Sequence, residues 1–214
     1  MTIQEFLLIE KKPKSMQHIE EAEQNKKLSL AIYLSSFIHL DQKDDSGSPY
    51  ILHSLRVMGG VSSYCLMTKQ VAILHDCIED GVNKILFKLC PMYDFQHQFR
   101  DTGFSLNGDV EAIETCFKFL SFLGFHQDVL VALRLLTKDN NVPKGDDGYY
   151  EYINKIGLNL MATRVKISDL TDNSQLSRLR GVTAKDQKRS VKYNNCYVYL
   201  KSRELQLSKI CGFQ

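Results

Sequence analysis

The chain has 214 residues, 43% of them hydrophobic, enough to bury one full core without disulfide staples and no reason to divide it into two. A formal net charge of only +2 argues against nucleic acid held by a charged face. The apolar run Phe6 to Ile9 is flanked by Glu5 and by Glu10, Lys11, Lys12 and Pro13, so neither a signal peptide nor a membrane span is expected, and the six cysteines, with no Cys-x-x-Cys pair, read as reduced thiols of a cytoplasmic protein.

Residues 1–27 are charged and interrupted by Pro13, which predicts a short leading helix, a break, and the polar start of a longer helix running to about His39. This segment is taken as an N-terminal extension, with 28–208 as the main domain. Asp41 to Ser48 is a polar loop, and Pro49 suits the first position of a helix that reaches about Tyr64 and carries His53 on its first turns. Thr68 is placed to cap the next helix, where Val71, Leu74 and Ile78 form a core-facing stripe. From about 82 to 108, aromatic residues, Pro91 and Gly103 break any period, so a short helix and an irregular insertion are expected.

Asp109 to Phe122 and Gln127 to Thr137 return to helical spacing, with Val110, Ile113, Phe117 and Leu120 on one stripe. A second polar loop, Asn140 to Gly148, precedes helices over Tyr149 to Gly157 and Leu158 to Asp172. Thr183 and Asp186 form a capping-box pattern ahead of a last helix to about Ser208. No stretch alternates at period two for long enough to build a sheet, so the expected fold is all-α, with no internal repeats.

The chemistry concentrates between His75 and Asp80. On a continuous helix from Val71 to Asp80, His75 and Glu79 are four apart, as are Asp76 and Asp80, so each pair shares a flank opposite the apolar stripe. His53 lies 22 positions upstream, and Asp169 sits late in an otherwise apolar segment. Two imidazoles and two carboxylates, with no thiolate, suit manganese, iron or another octahedral divalent ion better than a closed tetrahedral zinc site. Such an ion acidifies water, and Glu79 and Asp80 are the candidates to take its proton. Carboxylates at the end of a helix face the unfavourable pole of its dipole, which also calls for a compensating cation.

Four stretches together resemble the HD-domain phosphohydrolases, and within them the hydrolases of the RelA/SpoT alarmone enzymes and their stand-alone small relatives. These are Gln42, Lys43 and Asp44 with Gly47 to His53; Ala72 to Asp76 with Glu79 and Asp80; Val165 to Asp169 with Asn173; and Lys185, Asp186, Arg189, Lys192 and Tyr193. The resemblance implies a helical bundle with His53, His75, Asp76 and Asp169 as ligands of Mn2+. It implies that Glu79 and Asp80 take the water-activating and acid roles, and that Lys43, Asn173, Arg189 and Tyr193 contact a phosphorylated nucleotide. The implied reaction removes the 3′-pyrophosphate of guanosine tetra- or pentaphosphate. Ser54 follows His53 where the family usually has Pro, and Gly81 stands where Thr commonly follows the acid pair.

Other readings stay open at this level. Lys43 is equally a solvated loop lysine, Asn173 a helix C-cap, and Arg189 with Tyr193 a surface pair. The substrate is alternatively an adenosine alarmone or the 2′-phosphate of NADPH, and a third possibility is a non-catalytic module that senses nucleotides.

Overall fold

A computed structural model describes residues 14–210 apart from residue 180. The expected leading helix before Pro13 lies outside the described residues. Nine helices of eight or more residues carry the described chain: α1 (Lys14–Ile38), α2 (Ile51–Gly60), α3 (Leu66–Leu74), α4 (Cys77–Lys84), α5 (Val110–Phe122), α6 (Gln127–Leu136), α7 (Asp146–Ile156), α8 (Leu160–Asn173) and α9 (Ala184–Ile210). Among these residues the only extended pairing is one isolated bridge between Lys43 and Pro49, so the all-α expectation holds.

Helix α8 is the axis of the bundle. Val165, Ile167 and Leu170 are buried, and so are Lys166, Ser168, Asp169 and Asp172. It is covered by α2, α3, α6 and α9, while α1 packs along α3 and α4. A polar residue at such a position needs a partner, because burying it unpaired costs more than an exposed residue could recover. α3 is also enclosed: Val71, Ala72, Ile73 and Leu74 are all 0–1% exposed, so its apolar face is wider than the single stripe of the sequence pattern.

Several boundaries move for local reasons. Helix α3 starts at Leu66 rather than after Thr68; Thr68 is buried inside it, with its hydroxyl 3.3 Å from Cys65 Sγ. Helix α2 ends at Gly60, four residues before Tyr64, and 61–64 turn away. Within 82–108, the helical path continues from α4 through a π-helical turn, Ile85–Leu89, to Met92 before the irregular stretch begins. Val82, Ile85, Leu86 and Leu89 are buried and draw this segment into the core. The capping box at Thr183 is formed: its Oγ1 accepts from Asp186 N at 3.2 Å, while Asp186 Oδ2 accepts from Thr183 N at 3.0 Å.

Gly81 sits at a close approach of two helices. A Cβ there would lie 2.4 Å from Ile38 Cγ2, so the absence of a side chain lets α4 close onto the end of α1. The space that a threonine would fill is taken by Ile38.

Candidate metal centre and active site

The helix expected to run unbroken through the acids is broken where the chemistry sits. α3 stops at Leu74 and α4 begins at Cys77, with Asp76 at φ −101°, ψ −6°, in the sparsely populated bridge region where active-site residues recur. His75 Nδ1 donates to the Ala72 carbonyl at 2.8 Å, so the ring itself satisfies a backbone group near the end of α3. Asp76 stands at the N-cap of α4 and turns its carboxylate to His75, while its carbonyl still accepts from Asp80 N at 3.0 Å. The break also reverses the dipole argument: Glu79 and Asp80 occupy the first turn of α4, the favourable pole for carboxylates.

Two helices, α2 and α8, and the break then converge. His53 from α2, His75 and Asp169 from α8 each offer an atom to a common point, all within 4.8 Å of one another and all buried. The two Nε2 atoms are 3.3 Å apart, and Asp169 Oδ1 lies 3.3 Å from that of His53 and 3.7 Å from that of His75. Asp76 Oδ2 lies beside this group, 3.0 Å from His75 Nε2 and 3.5 Å from His53 Nε2, and accepts a bond from the Tyr50 hydroxyl at 2.5 Å.

Electrostatics shows what this arrangement demands. Burial alone would lower both imidazole pKa values, but the hydrogen bonds and charges of Asp169 and Asp76 prevail, raising His53 to about 9 and His75 to about 10. Burial would raise Asp169, yet Lys166 and the two histidines hold it well below the carboxylate range, and Asp76 is lowered in the same way by His75 and His53. Two nitrogen atoms aimed at each other across 3.3 Å, ringed by carboxylates, need positive charge between them. Protons meet that need without metal; a divalent ion of oxygen and imidazole preference fits the same donors.

A measurable consequence follows from the sign of these shifts. Both folded histidine pKa values exceed the free value of 6.5, so their stabilising contribution in metal-free protein is complete below that pH and is lost as pH rises through about 9 and 10. A metal requires both Nε2 atoms unprotonated, so Mn2+ binding near neutral pH is expected to release about two protons and to tighten as pH rises. Titration calorimetry in buffers of different ionisation enthalpy counts them; binding without proton release would show that the imidazoles are already neutral.

Glu79 and Asp80 stand at the mouth. Lys138 donates to Glu79 through both Nζ, at 2.8 Å, and its backbone N–H, at 3.2 Å. Lys84, on the same helix as these acids, reaches instead to the Ile38 carbonyl at 2.8 Å. Asp80 accepts from Gln42 Nε2 at 2.9 Å, and Gln42 Oε1 is in turn 2.6 Å from Nδ1 of the buried His39. Desolvation pushes the Asp80 carboxyl up, opposed by the Gln42 bond and reinforced by Asp76 and Glu79.

The residues expected to contact a substrate surround this centre. A cavity of about 380 Å³ is lined by Lys43, Tyr50, His53, Asp80, Asn173 and Arg189 among others. A smaller one of about 180 Å³ includes Asp76, Glu79, Lys138, Asn173 and Tyr193. Lys43 is exposed on a loop closed by Asp44, whose carboxylate accepts from the backbone N–H groups of Ser46 and Ser48 at 2.9 Å, and by Gly47 at φ +84°, a conformation that favours glycine. Arg189 bonds Asp45 of that loop at 3.1 Å and Asp186 at 3.2 Å. Asn173 donates to Asp169 Oδ1 at 2.5 Å, so it touches a candidate ligand as well as lining the cavity.

Sequence reasoning missed a supporting layer. Lys166 Nζ is 2.7 Å from Asp169 Oδ2, Asp172 Oδ2 is 2.7 Å from His53 Nδ1, and Arg56 pairs with Asp172 at 2.6 Å. A local signal existed, since Lys166, Asp169 and Asp172 are three apart on α8 and Arg56 is three after His53 on α2. Lys138 had none, because 59 positions separate it from Glu79.

No family profile matches the chain, and no curated protein matches it in sequence. Among solved structures, one described as a metazoan orthologue of SpoT that hydrolyses ppGpp and plays a role in starvation responses aligns with a TM-score of 0.55 and 19% identity, covering 88% of this chain and 97% of that one. The chain shares the all-helical bundle fold of that structure. In this chain, the His/Asp cluster lies where α2, α3 and α8 meet, and no described helix is long and apolar enough to cross a membrane.

Proposed function

We propose that this chain is a metal-dependent HD-domain phosphohydrolase whose substrate is a phosphorylated nucleotide, with guanosine tetra- or pentaphosphate as the leading candidate and Mn2+ as its metal. The observation that carries the reading is the convergence of His53 Nε2, His75 Nε2 and Asp169 Oδ1 within 4.8 Å, beside Asp76 and under a cavity lined by Lys43 and Arg189. The solved structure of similar fold, described as a ppGpp hydrolase, supports the substrate class.

His53, His75, Asp76 and Asp169 would hold the ion, and Asn173 and Lys166 would keep the Asp169 carboxylate in place. When bound, a divalent ion supplies Lewis acidity, polarising a phosphoryl oxygen and lowering the pKa of water. Glu79, held by Lys138, accepts the proton of the attacking water, whose oxygen bonds to the phosphorus at the nucleotide's 3′ position. The bond from that phosphorus to the ribose 3′-oxygen breaks and pyrophosphate departs. Asp80, the carboxyl that its surroundings push towards the protonated form, delivers a proton to the 3′-oxygen. Lys43 and Arg189 meet the remaining anionic oxygens, and Tyr193 offers a ring and a hydroxyl.

The test is a panel of phosphorylated nucleotides, including guanosine tetraphosphate, an adenosine alarmone and NADPH, incubated with purified protein and Mn2+. Pyrophosphate and orthophosphate are then separated. Pyrophosphate with GDP from guanosine tetraphosphate is expected, and Arg189→Gln should raise KM more than it lowers kcat if the guanidinium holds ground and transition states alike. Turnover of an unrelated phosphoester with guanosine tetraphosphate untouched would remove the alarmone assignment and leave only the broader phosphohydrolase reading.

A further inference from the structure

Behind His53 lies a carboxylate that the ligand set does not use. Asp172 is only 4% exposed, and its Oδ2 accepts from His53 Nδ1 at 2.7 Å. Arg56 donates to the same carboxylate twice, Nε to Oδ1 at 2.6 Å and Nη2 to Oδ2 at 3.2 Å. We propose that Asp172, braced by Arg56, is a positioning residue of the metal centre, holding the His53 ring with Nδ1–H turned back and Nε2 presented to the cluster.

The inference rests on the metal reading above and adds to it the part that aims one ligand. His75 takes its orientation from its own backbone, the Ala72 carbonyl three residues earlier. His53 depends on a side chain 119 positions away. The arrangement is reciprocal: His53 and Arg56 share α2, Asp169 and Asp172 share α8, and each helix contributes a ligand and, one turn on, a member of the brace. A small rotation of either helix would move ligand and brace together, so the ring stays aimed. Arg56 Nη2 also lies 3.9 Å from Asp44 Oδ2, which ties the brace to the loop that carries Lys43.

Asp172→Asn tests the aim with little change of shape. A carboxylate has two acceptor oxygens, whereas an amide has one, and the guanidinium can only donate. Arg56 therefore claims the oxygen and turns Nδ2 towards His53 Nδ1. The ring must then accept at Nδ1 and carry its proton on Nε2, the nitrogen that faces the cluster. Partners of this kind typically change metal affinity by ~10- to 100-fold, so calorimetric titration with Mn2+ is expected to show a Kd raised by that factor.

The 15N signals of His53 in Zn2+-loaded protein supply a readout that a merely structural role would not move. The wild type is expected to carry its proton on Nδ1, and the variant to lose that signature. Equal Mn2+ affinity and unchanged His53 signals in the variant would overturn the proposal. Wild-type protein that binds no divalent ion would overturn the metal reading and this inference together. Should Asp172→Asn not fold, Arg56→Gln decides: a Kd several-fold above wild type supports the brace, and an unchanged Kd overturns it.

Discussion

Asp169→Ala is expected to lose bound Mn2+ to background and turnover with it. Asp169 joins the imidazoles to a buried cation: its Oδ1 faces the two imidazoles and Asn173, and its Oδ2 pairs with Lys166. Removing it deletes a proposed ligand and leaves the Lys166 ammonium, on a residue 8% exposed, without its carboxylate. Breaking a buried pair from one side typically costs about 3–5 kcal/mol. At ~2–4 °C per kcal/mol for a chain of this size, the melting temperature should fall by roughly 6–20 °C. Asp169→Asn keeps the shape and part of the hydrogen bonding, so it should lose metal with a smaller thermal penalty. Elemental analysis and a melting curve on both variants separate the two effects, and stoichiometric metal in Asp169→Ala would place this residue outside the centre.

Glu79→Gln is expected to keep the metal and lose ~10²- to 10⁴-fold in kcat, the usual contribution of a positioned general base. Its carboxylate is held by Lys138 rather than by the histidines, so the ligand cluster has no reason to change. The same pairing creates a rival explanation, that Glu79 matters only by holding Lys138 in place. Lys138→Ala discriminates: it should leave most of kcat if Glu79 is the base, and reproduce the Glu79→Gln loss if Glu79 only anchors the lysine. Wild-type turnover in Glu79→Gln with unchanged metal content would remove Glu79 from the chemistry.

The readable features were those of short range. Helical periodicity needs only neighbouring residues, so the all-α architecture, the capping box at Thr183, the polar loop at 41–48 and the first part of the one expected at 140–148 could be read from spacing alone, while residues 146–148 of the latter belong to α7. The four candidate ligands were singled out by the resemblance of their short stretches to the HD-domain phosphohydrolases. The break at His75 and Asp76 was not readable, since nothing in Val71 to Asp80 is a helix breaker. The interruption is accompanied by the bond from His75 Nδ1 to the Ala72 carbonyl and by the placement of Asp76 against two histidines and Tyr50. Tertiary contacts of that strength override a propensity difference of a few tenths of a kcal/mol per residue.

Distance along the chain marks the same division. Which residue types could bind a cation, and on which helices they sit, was set by composition and local pattern. Which of them meet was decided by packing: α8 runs through the centre of the bundle with Lys166, Asp169 and Asp172 buried, and each must find its partner there. Lys166 found Asp169 on its own helix, while Asp172 found His53 and Arg56 across more than a hundred residues. Glu79 found Lys138 from the loop after α6 rather than the nearby Lys84. A buried charge is stable only when paired, and pairing is a property of the assembled core, so no local window of sequence carries that information.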